Sequence, residues 1–195
     1  MDPSIPPLPP LDPSITLTDP AGVPVPASSL WADGRPVVLY LLRRPGCVLC
    51  RATAAKLWAA AEAVTEAAGG GQARMVCVAH EWLPAEIAAF REGYWPGPIY
   101  KDEAKALFSA LGSGAVRRAS MLSLLNPLSR MWGHAKAAKA AGAEGNLTGD
   151  GLTLGGAMVV VGGVPVWTFQ ERQFGDAPTP EAVVEAVKAA AVAGK

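Results

Sequence analysis

The stretch PVVLYLLRRPGCVLCRATAAKLW, residues 36–58, joins an apolar run to two cysteines that are separated by two residues. Residues 36–42 show no polar alternation, which is typical of a strand buried on both faces, as in the centre of a parallel sheet. From Cys47 to about Ala68 the sequence is rich in alanine, and three consecutive glycines follow, so this part predicts a helix with a C-terminal stop. The cysteine pair therefore lies where a buried strand passes into a helix.

The segments on either side continue as a mixture of strands and helices. ARMVCVAH, residues 73–80, predicts a second strand and completes a strand–loop–helix–strand unit. The other predicted elements are a hairpin over 14–27, a helix over 83–94, a short strand over 97–103, a helix over 103–112, a hairpin over 156–170 that turns at Gly162–Gly163, and a last helix capped by Thr179. Residues 114–150 predict a helical insertion, broken near Asn126–Pro127. This order is that of a thioredoxin-like α/β fold, with a mixed sheet flanked by helices.

The length of 195 residues predicts a single domain over residues 14–195, preceded by a Pro-rich tail over 1–13. We expect the tail to be solvated, because prolines cannot donate hydrogen bonds to a sheet. Its sequence has neither the basic and apolar regions of a secretory signal nor the arginines of a transit peptide. The longest apolar run, residues 152–169, is interrupted by four glycines and a proline, which favours a hairpin over a membrane span.

Charge and cysteine content restrict the partners and the compartment. The chain has 17 basic and 17 acidic residues, so its net charge of zero indicates neither a nucleic-acid partner nor an anionic membrane. Three cysteines are too few for a disulfide framework, and such sparse thiols are typical of a reducing compartment. We therefore expect the cytoplasm, or an organellar stroma or matrix, where a C-x-x-C pair is more often catalytic or metal-binding than structural.

The position of the two cysteines favours thiol chemistry. Cys47 falls at the N-cap or first turn of the predicted helix, where unpaired N–H groups and the helix dipole stabilise an anion. Arg43 and Arg44 add positive charge nearby, and such surroundings lower a thiol pKa. We expect Cys47, nearer the helix tip, to be the more exposed sulfur and to attack. Cys50, one turn further on, would resolve the product by forming a disulfide.

Two other roles of these cysteines stay open at the level of sequence. CVAH, residues 77–80, is a C-x-x-H pattern, and Cys77 and His80 together with the cysteine pair make a Cys₃His set that could bind zinc. Against this, Cys77 stands between valines as a core residue would, and His80, three residues later, faces the other side of the sheet. The thiols could also be unreactive packing groups. His80 lies at the carboxyl edge of the sheet, where it could exchange a proton, or it is a surface histidine.

Several segments resemble the peroxiredoxin-like 2 family of the thioredoxin-like superfamily of alkyl hydroperoxide reductase and thiol-specific antioxidant proteins. They are YLLRRPGCVLCR, YWPGPIYKDEAKALFSALG, GNLTGDGLTLGGAMVV and RQFGDAPTPEAVVEAV, in this order and spacing. The resemblance runs from about Leu17 to Val192. It implies a peroxiredoxin-like fold, a redox-active pair at Cys47 and Cys50, and antioxidant or thiol-dependent reductase activity.

The resemblance also implies the partners. A peroxide or a disulfide would be the substrate, and an external thiol of the thioredoxin or glutathione type would be the reductant, with no bound cofactor. One branch of the family is known as prostamide/prostaglandin F synthase and reduces an endoperoxide with thioredoxin, and another is described as a redox regulator. The segments RRPGC, GNLTGDG and FGD are closer to the regulator branch. A redox sensor without efficient turnover is therefore an alternative to an enzyme.

The sequence also departs from the typical peroxiredoxin pattern. Arg44 stands three residues before Cys47, where a typical peroxiredoxin has Thr or Ser, and LTLGGAMVV, residues 152–160, holds no arginine that could orient a peroxide. These departures favour the dithiol–disulfide step over fast peroxide reduction. Gly155–Gly156 occupies the position expected for the cis-proline of thioredoxins. We expect Arg43 or Arg44 to stabilise the thiolate, and the two glycines to allow close approach of a substrate to the backbone.

Overall fold

In a computed structural model of the chain, the structure describes residues 8–69, 73–120 and 130–193. The strands found there are β1 (Thr16–Thr18), β2 (Pro24–Pro26), β3 (Val37–Leu42), β4 (Arg74–Ala79), β5 (Ile99–Lys101), β6 (Gly156–Val161) and β7 (Val164–Gln170). The α-helices are α1 (Val48–Ala59), α2 (Ala61–Ala67), α3 (Pro84–Gly93), α4 (Ala106–Leu111), α5 (Arg130–Ala140) and α6 (Pro180–Ala193), and a 3₁₀ turn covers Ala27–Leu30.

The strands form one mixed sheet in the order β2-β1-β5-β4-β3-β6-β7. β3 pairs in parallel with β4 and antiparallel with β6, and β4 pairs in parallel with β5. All six residues of β3 are buried, as their unbroken apolar sequence predicts for a central strand. The predicted hairpins β1–β2 and β6–β7 are both confirmed. A mixed sheet flanked by helices is therefore the observed architecture, as the order of elements predicts.

The two faces of β3 belong to two separate hydrophobic clusters. Val38, Tyr40 and Leu42 pack with both cysteines of the pair and with buried residues of α1 and α6. Val37, Leu39 and Leu41 pack on the other face with the buried residues of α4 and of the N-terminal segment. This alternation is that of any extended strand. β3 therefore runs through the core with both faces buried, and the loop that contains the cysteines follows its C-terminal end at one edge of the sheet.

The helix predicted from Cys47 to about Ala68 is in fact two helices. The chain bends at Ala60, which has φ −93° and ψ 8°, and neither glycine nor proline stands there. Leu57 of α1 and Val64 of α2 are both buried in the cluster that contains the cysteines. The bend lets both helices bury an apolar side chain against the same core, and this packing cannot be read from local sequence.

The N-terminal segment also differs from the prediction. Residues 1–7 lie outside the described part of the chain, but Leu8 and Leu11 are buried in the cluster on the α4 side of the sheet. The backbone N–H of Leu11 donates to the carbonyl of Gly163 at 2.8 Å. Residues 8–11 are therefore packed on the domain rather than solvated, because their two leucines cover apolar surface beside the β6–β7 turn. The start of the domain at residue 14 stays a prediction.

The insertion predicted over residues 114–150 contains one helix in its described part, α5. The predicted break near Asn126–Pro127 lies outside the described residues. Arg118, before the helix, forms an isolated antiparallel bridge with Thr153, after it. The start of the insertion thus lies beside the segment that leads from its end into β6. In the part of the chain that the structure describes, no helix is long and apolar enough to cross a membrane.

Candidate functional site

The cysteine pair sits at the start of α1, as the sequence predicts. Cys47 is the N-cap residue, with φ −80° and ψ 124°, and Cys50 lies in the first turn. Their side chains are almost equally buried, with 5% of Cys47 and 3% of Cys50 exposed. The expected greater exposure of Cys47 therefore amounts to a small difference. Residues 144–151 lie over the helix tip, where the amide of Asn146 donates to the carbonyl of Gly46.

The two sulfurs differ in the pKa values of their thiols. The hydrogen bond from Cys50, the Arg43 guanidinium and the amides of the first turn lower the pKa of the Cys47 thiol well below its usual value, although burial opposes them. The hydrogen bond to Cys47, together with burial, raises the pKa of the Cys50 thiol well above its usual value. The geometry therefore favours a thiolate at Cys47 and a protonated thiol at Cys50. A thiolate is the form of cysteine that attacks.

The two arginines before the pair have different environments. Arg43 Nη2 lies 3.0 Å from Cys47 Sγ, and the pKa of its guanidinium is raised, since Cys50, Cys47 and Glu171 together outweigh the effect of burial. Arg44 turns the other way and donates from Nη2 to the carbonyl of Asn146 at 2.6 Å. Of the two arginines expected to stabilise the thiolate, the structure brings Arg43 to the sulfur and places Arg44 on the insertion.

Glu171, directly after β7, is a site residue that the sequence analysis missed. Its Oε2 lies 3.8 Å from Arg43 Nε and accepts a hydrogen bond from the amide of Gly155 at 3.0 Å. Burial raises the pKa of Glu171 to about 7, although the Arg43 charge and the Gly155 amide act in the opposite direction. The ring of Phe174 packs against the Arg43 guanidinium, with its centre 4.8 Å from the guanidinium carbon. The one sequence signal for Glu171 was an acidic residue directly after a predicted strand. Because Glu171 lies 128 positions after Arg43, the sequence did not indicate that the two side chains meet.

Gly155 and Gly156 are buried where strands meet. A Cβ added to Gly155 would strike the carbonyl oxygen of Leu41, and one added to Gly156 would strike that of Phe169. The structure therefore gives these glycines a different purpose from the expected approach of a substrate. The space beside them is filled by the protein's own backbone, and glycine is required there because strands β3, β6 and β7 come together so closely.

His80 is neither a surface residue nor a neighbour of the thiols. Its Nε2 lies 2.8 Å from the carbonyl oxygen of Arg43, and its ring stands edge-on to Phe108 with centres 5.2 Å apart. Burial and the nearby Lys105 lower the pKa of the imidazole. Phe108 belongs to the cluster on the face of the sheet opposite Cys47. His80 therefore supports the backbone of Arg43 from the far side.

The four residues of the zinc alternative are divided between the two faces of the sheet. Cys77 packs in the cluster of Cys47 and Cys50, and His80 contacts Phe108 on the other face. Over residues 8–69, 73–120 and 131–193, no three His, Cys, Asp or Glu side chains are grouped so that they could hold a metal ion. Cys77 is fully buried, and burial raises the pKa of its thiol well above the usual value. The packing of an apolar strand thus explains Cys77.

A loop of the insertion, residues 144–151, lies over the start of α1, and we name it the covering loop. The amide of Asn146 donates to the carbonyl of Gly46 at 2.7 Å, and its side-chain amide donates to Glu86 at 2.7 Å. Arg51 is buried below, where it donates to the Glu144 carbonyl at 3.1 Å and pairs with Glu86 at 2.9 Å. A substrate can therefore reach Cys47 from this side only if the covering loop moves.

On its other side the pair adjoins a cleft of about 1660 Å³ between α1, α5, β7 and residues 171–182. Among its described lining residues are Arg43, Cys50 and Glu171, whereas Cys47 is not one of them. Alanines of α1 and α5 and the rings of Trp167, Phe169 and Phe174 make much of the wall apolar. The site therefore has an open, largely apolar approach on the side of Cys50.

Proteins of known structure share this fold. The structure matches peroxiredoxin Q of Xanthomonas campestris with a TM-score of 0.61 and 15% identity, over 94% of this chain and 97% of that one. It matches reduced Prx3 of Vibrio vulnificus, solved in complex with hydrogen peroxide, with a TM-score of 0.58 and 18% identity, over 94% and 99% of the two chains. These similarities confirm the predicted thioredoxin-like, peroxiredoxin-like architecture.

Sequence comparison identifies the family. A family model described as AhpC/TSA antioxidant enzyme matches residues 56–173, a stretch that begins after the cysteine pair. Peroxiredoxin-like 2A of Mus musculus is 34% identical over 164 residues, which are 83% of this chain and 70% of that protein. Prostamide/prostaglandin F synthase of Sus scrofa is 36% identical over 174 residues, 85% of this chain and 80% of that protein. The resemblance seen in the sequence is thereby confirmed, and the chain belongs to the AhpC/TSA antioxidant enzyme family together with the peroxiredoxin-like 2 proteins.

Proposed function

We propose that this protein is a thiol-dependent oxidoreductase in which Cys47 attacks and Cys50 resolves. The observation that carries the proposal is the contact of 3.0 Å between Arg43 Nη2 and Cys47 Sγ at the N-cap of α1. A guanidinium and a helix N-terminus together favour a thiolate at this atom. Family membership supports an antioxidant oxidoreductase in general, and the roles of the two sulfurs are our inference from the geometry.

In the proposed cycle, the Cys47 thiolate attacks one oxygen of a peroxide or endoperoxide, or one sulfur of a disulfide. A hydroperoxide loses an alkoxide and leaves Cys47 as a sulfenic acid, and a disulfide loses a thiolate and leaves a mixed disulfide. An endoperoxide opens instead, so that one oxygen is bonded to Cys47 as a sulfenate ester and the other becomes an alkoxide of the same molecule. Cys50 then attacks Cys47 Sγ and closes the Cys47–Cys50 disulfide, and it displaces hydroxide from the sulfenic acid, the substrate alkoxide from the sulfenate ester, or the second thiolate from the mixed disulfide. At this point two electrons have passed to the substrate. Two electrons from an external thiol of the thioredoxin or glutathione type then return the cysteine pair to its reduced form.

The proposal includes no bound cofactor, because the dithiol and an external thiol supply both electrons. We include an endoperoxide among the proposed substrates because some relatives are named prostamide/prostaglandin F synthase. The cleft of about 1660 Å³ beside Cys50 has room for a substrate or reductant larger than hydrogen peroxide. Such a dithiol needs a reductant in its surroundings, so we place the protein in the cytoplasm, or in an organellar stroma or matrix.

A trapping experiment tests the assignment of the two roles. The Cys50→Ser variant should retain the attacking sulfur and lose the resolving one, so treatment with hydrogen peroxide should leave a sulfenic acid on Cys47 that dimedone labels. Cys47→Ser should give no such label and lose thiol-dependent reductase activity. Cys77→Ser, a buried thiol outside the pair, is the matched control and should retain activity. Full activity of Cys47→Ser would contradict the assignment.

A redox sensor is the second candidate, and one observation favours it. Both sulfurs are almost completely buried, and the covering loop is attached to the loop before Cys47 through Asn146 and Gly46. Formation of a disulfide below this loop would alter the surface it presents. A sensor predicts slow turnover with a thioredoxin system and a large change in hydrogen exchange over residues 144–151 on oxidation. An enzyme predicts repeated turnover with a thioredoxin system.

A further inference from the structure

Arg43 is a buried cation that faces two groups able to carry a negative charge. Its guanidinium lies 3.0 Å from Cys47 Sγ through Nη2 and 3.8 Å from Glu171 Oε2 through Nε. All three side chains are at least nine-tenths buried. Two anions beside one cation would leave an uncompensated buried charge, which is costly where water cannot solvate it. The arrangement therefore favours one anion at a time.

The groups around Glu171 lead to the same conclusion. The titratable or charged side chains that act on it are Arg43, Cys47 and Cys50 from the cysteine loop and α1, Tyr40 from β3, and Asp176 from its own loop. Arg43 is the cation among them. Cys47 and Asp176 oppose a charge on Glu171, whereas Arg43 and the Gly155 amide favour it. The charge state of Cys47 is the member of this set that changes when the pair is oxidised.

We propose that Glu171 holds a proton in the reduced protein and releases it when the Cys47–Cys50 disulfide forms, so that Arg43 faces a single anion in both states. The inference rests on the proposed function, since it requires that these two sulfurs form the disulfide. Glu171 acts here as a positioning and proton-storing residue, through its contact with Arg43. Its pKa of about 7 in the reduced site agrees with this role.

The proton balance of peroxide reduction shows what this release does. The reduced site contains the Cys47 thiolate, the Cys50 thiol and the Glu171 carboxylic acid, and the substrate is a hydroperoxide, ROOH. Sulfur attack breaks the O–O bond, and closure of the disulfide breaks the S–O bond of the sulfenic acid. The alkoxide and the hydroxide that leave need two protons. Cys50 supplies one and Glu171 the other, giving ROH, water, the disulfide and a Glu171 carboxylate with no proton taken from solution.

The stoichiometry of protons tests the proposal directly. Reduced protein is oxidised with one equivalent of hydrogen peroxide at pH 6 in weak buffer that contains an indicator dye, and the disulfide is quantified in the same sample. Wild type should take up close to no protons per disulfide. Glu171→Gln should take up about one, because its amide has no proton to give. Glu185→Gln, an exposed carboxylate of α6 that does not line the cleft, is the control and should behave as wild type.

Equal proton uptake by wild type and Glu171→Gln would overturn the proposal. Absence of a Cys47–Cys50 disulfide in oxidised wild type would instead overturn the proposed function, so the two failures are distinguishable. Infrared difference spectroscopy of wild type makes the test independent of the folding of a variant. The carbonyl band of a protonated carboxyl should disappear on oxidation, and a spectrum without this loss would also overturn the proposal.

Discussion

Arg43 connects most of the site through one side chain. Its Nη2 contacts Cys47, its Nε faces Glu171, and its Nη1 donates to the carbonyl of Gly151 at 3.3 Å. A typical peroxiredoxin pattern places Thr or Ser three residues before the attacking cysteine, and this chain has Arg44 there. The neighbouring Arg43 supplies the positive charge to the sulfur. The side chain that contacts the sulfur thus stands one residue before the position of that Thr or Ser.

Replacing Arg43 should raise the pKa of Cys47. Loss of a buried cation in contact with a thiolate shifts a pKa by about one to three units, so the pH midpoint of thiolate absorbance in Arg43→Gln should rise by about one unit or more. Arg44→Gln is the matched control, since Arg44 is equally buried but binds the Asn146 carbonyl. Equal midpoints in the two variants would contradict the role of Arg43.

Glu171 should make the stability of the reduced protein depend on pH. Its pKa is about 7 when folded and about 4.3 in an unfolded chain, so the folded state binds more protons between these values. The contribution of Glu171 is complete below pH 4 and is lost as the pH rises through 7. Urea unfolding should show that Glu171→Gln gains about 2–4 kcal/mol relative to wild type between pH 4 and pH 8. A constant difference between the two proteins over this range would contradict the assigned pKa.

At the scale of elements, the covering loop and the N-terminus of α1 fit closely. A Cβ added to Gly145 would come within 2.6 Å of the backbone nitrogen of Val48 and within 2.8 Å of its Cβ. These are atoms of the first helical turn, which cannot move without disturbing the position of Cys47. Glycine at position 145 is therefore what lets the loop lie against the helix tip.

Gly145→Ala should displace the covering loop. Forcing a methyl group against this backbone should cost about 1–3 kcal/mol of stability and should speed the alkylation of Cys47 by a bulky maleimide. Gly133→Ala, in α5, is the matched control because nothing lies within 4 Å of the added Cβ. That change should stabilise the helix by about 0.5–1 kcal/mol and leave alkylation unchanged. Wild-type reactivity in Gly145→Ala would show that the loop does not restrict access.

The elements that sequence predicts well are those fixed by local patterns. The apolar run of β3, the Gly162–Gly163 turn and the Thr179 cap of α6 each carry their own signal, and each is found in the structure. The bend at Ala60 and the packing of Leu8 and Leu11 depend on contacts with distant parts of the core. No local pattern encodes those contacts, and both predictions failed there.

At the scale of the whole molecule, the site is assembled from four separated segments. The loop before α1 brings Arg43 and Cys47, the end of β4 brings His80, the covering loop brings Asn146, and the residue after β7 is Glu171. The sequence predicts the cysteine pair because both members are adjacent to one helix start. It could not place Glu171 or separate Arg43 from Arg44, because these positions depend on how β3 and β6–β7 pair.

In the proposed function, Cys47 and Cys50 form one redox pair that excludes Cys77. The most direct test is disulfide mapping by mass spectrometry. Reduced wild type is treated with one equivalent of hydrogen peroxide and, in a parallel sample, with one equivalent of glutathione disulfide. Free thiols are then blocked in acid before the disulfides are mapped. We expect one Cys47–Cys50 disulfide for each equivalent consumed, with Cys77 recovered as a free thiol. Recovery of Cys47 and Cys50 as thiols in both samples, or a disulfide that includes Cys77, would contradict the proposed function.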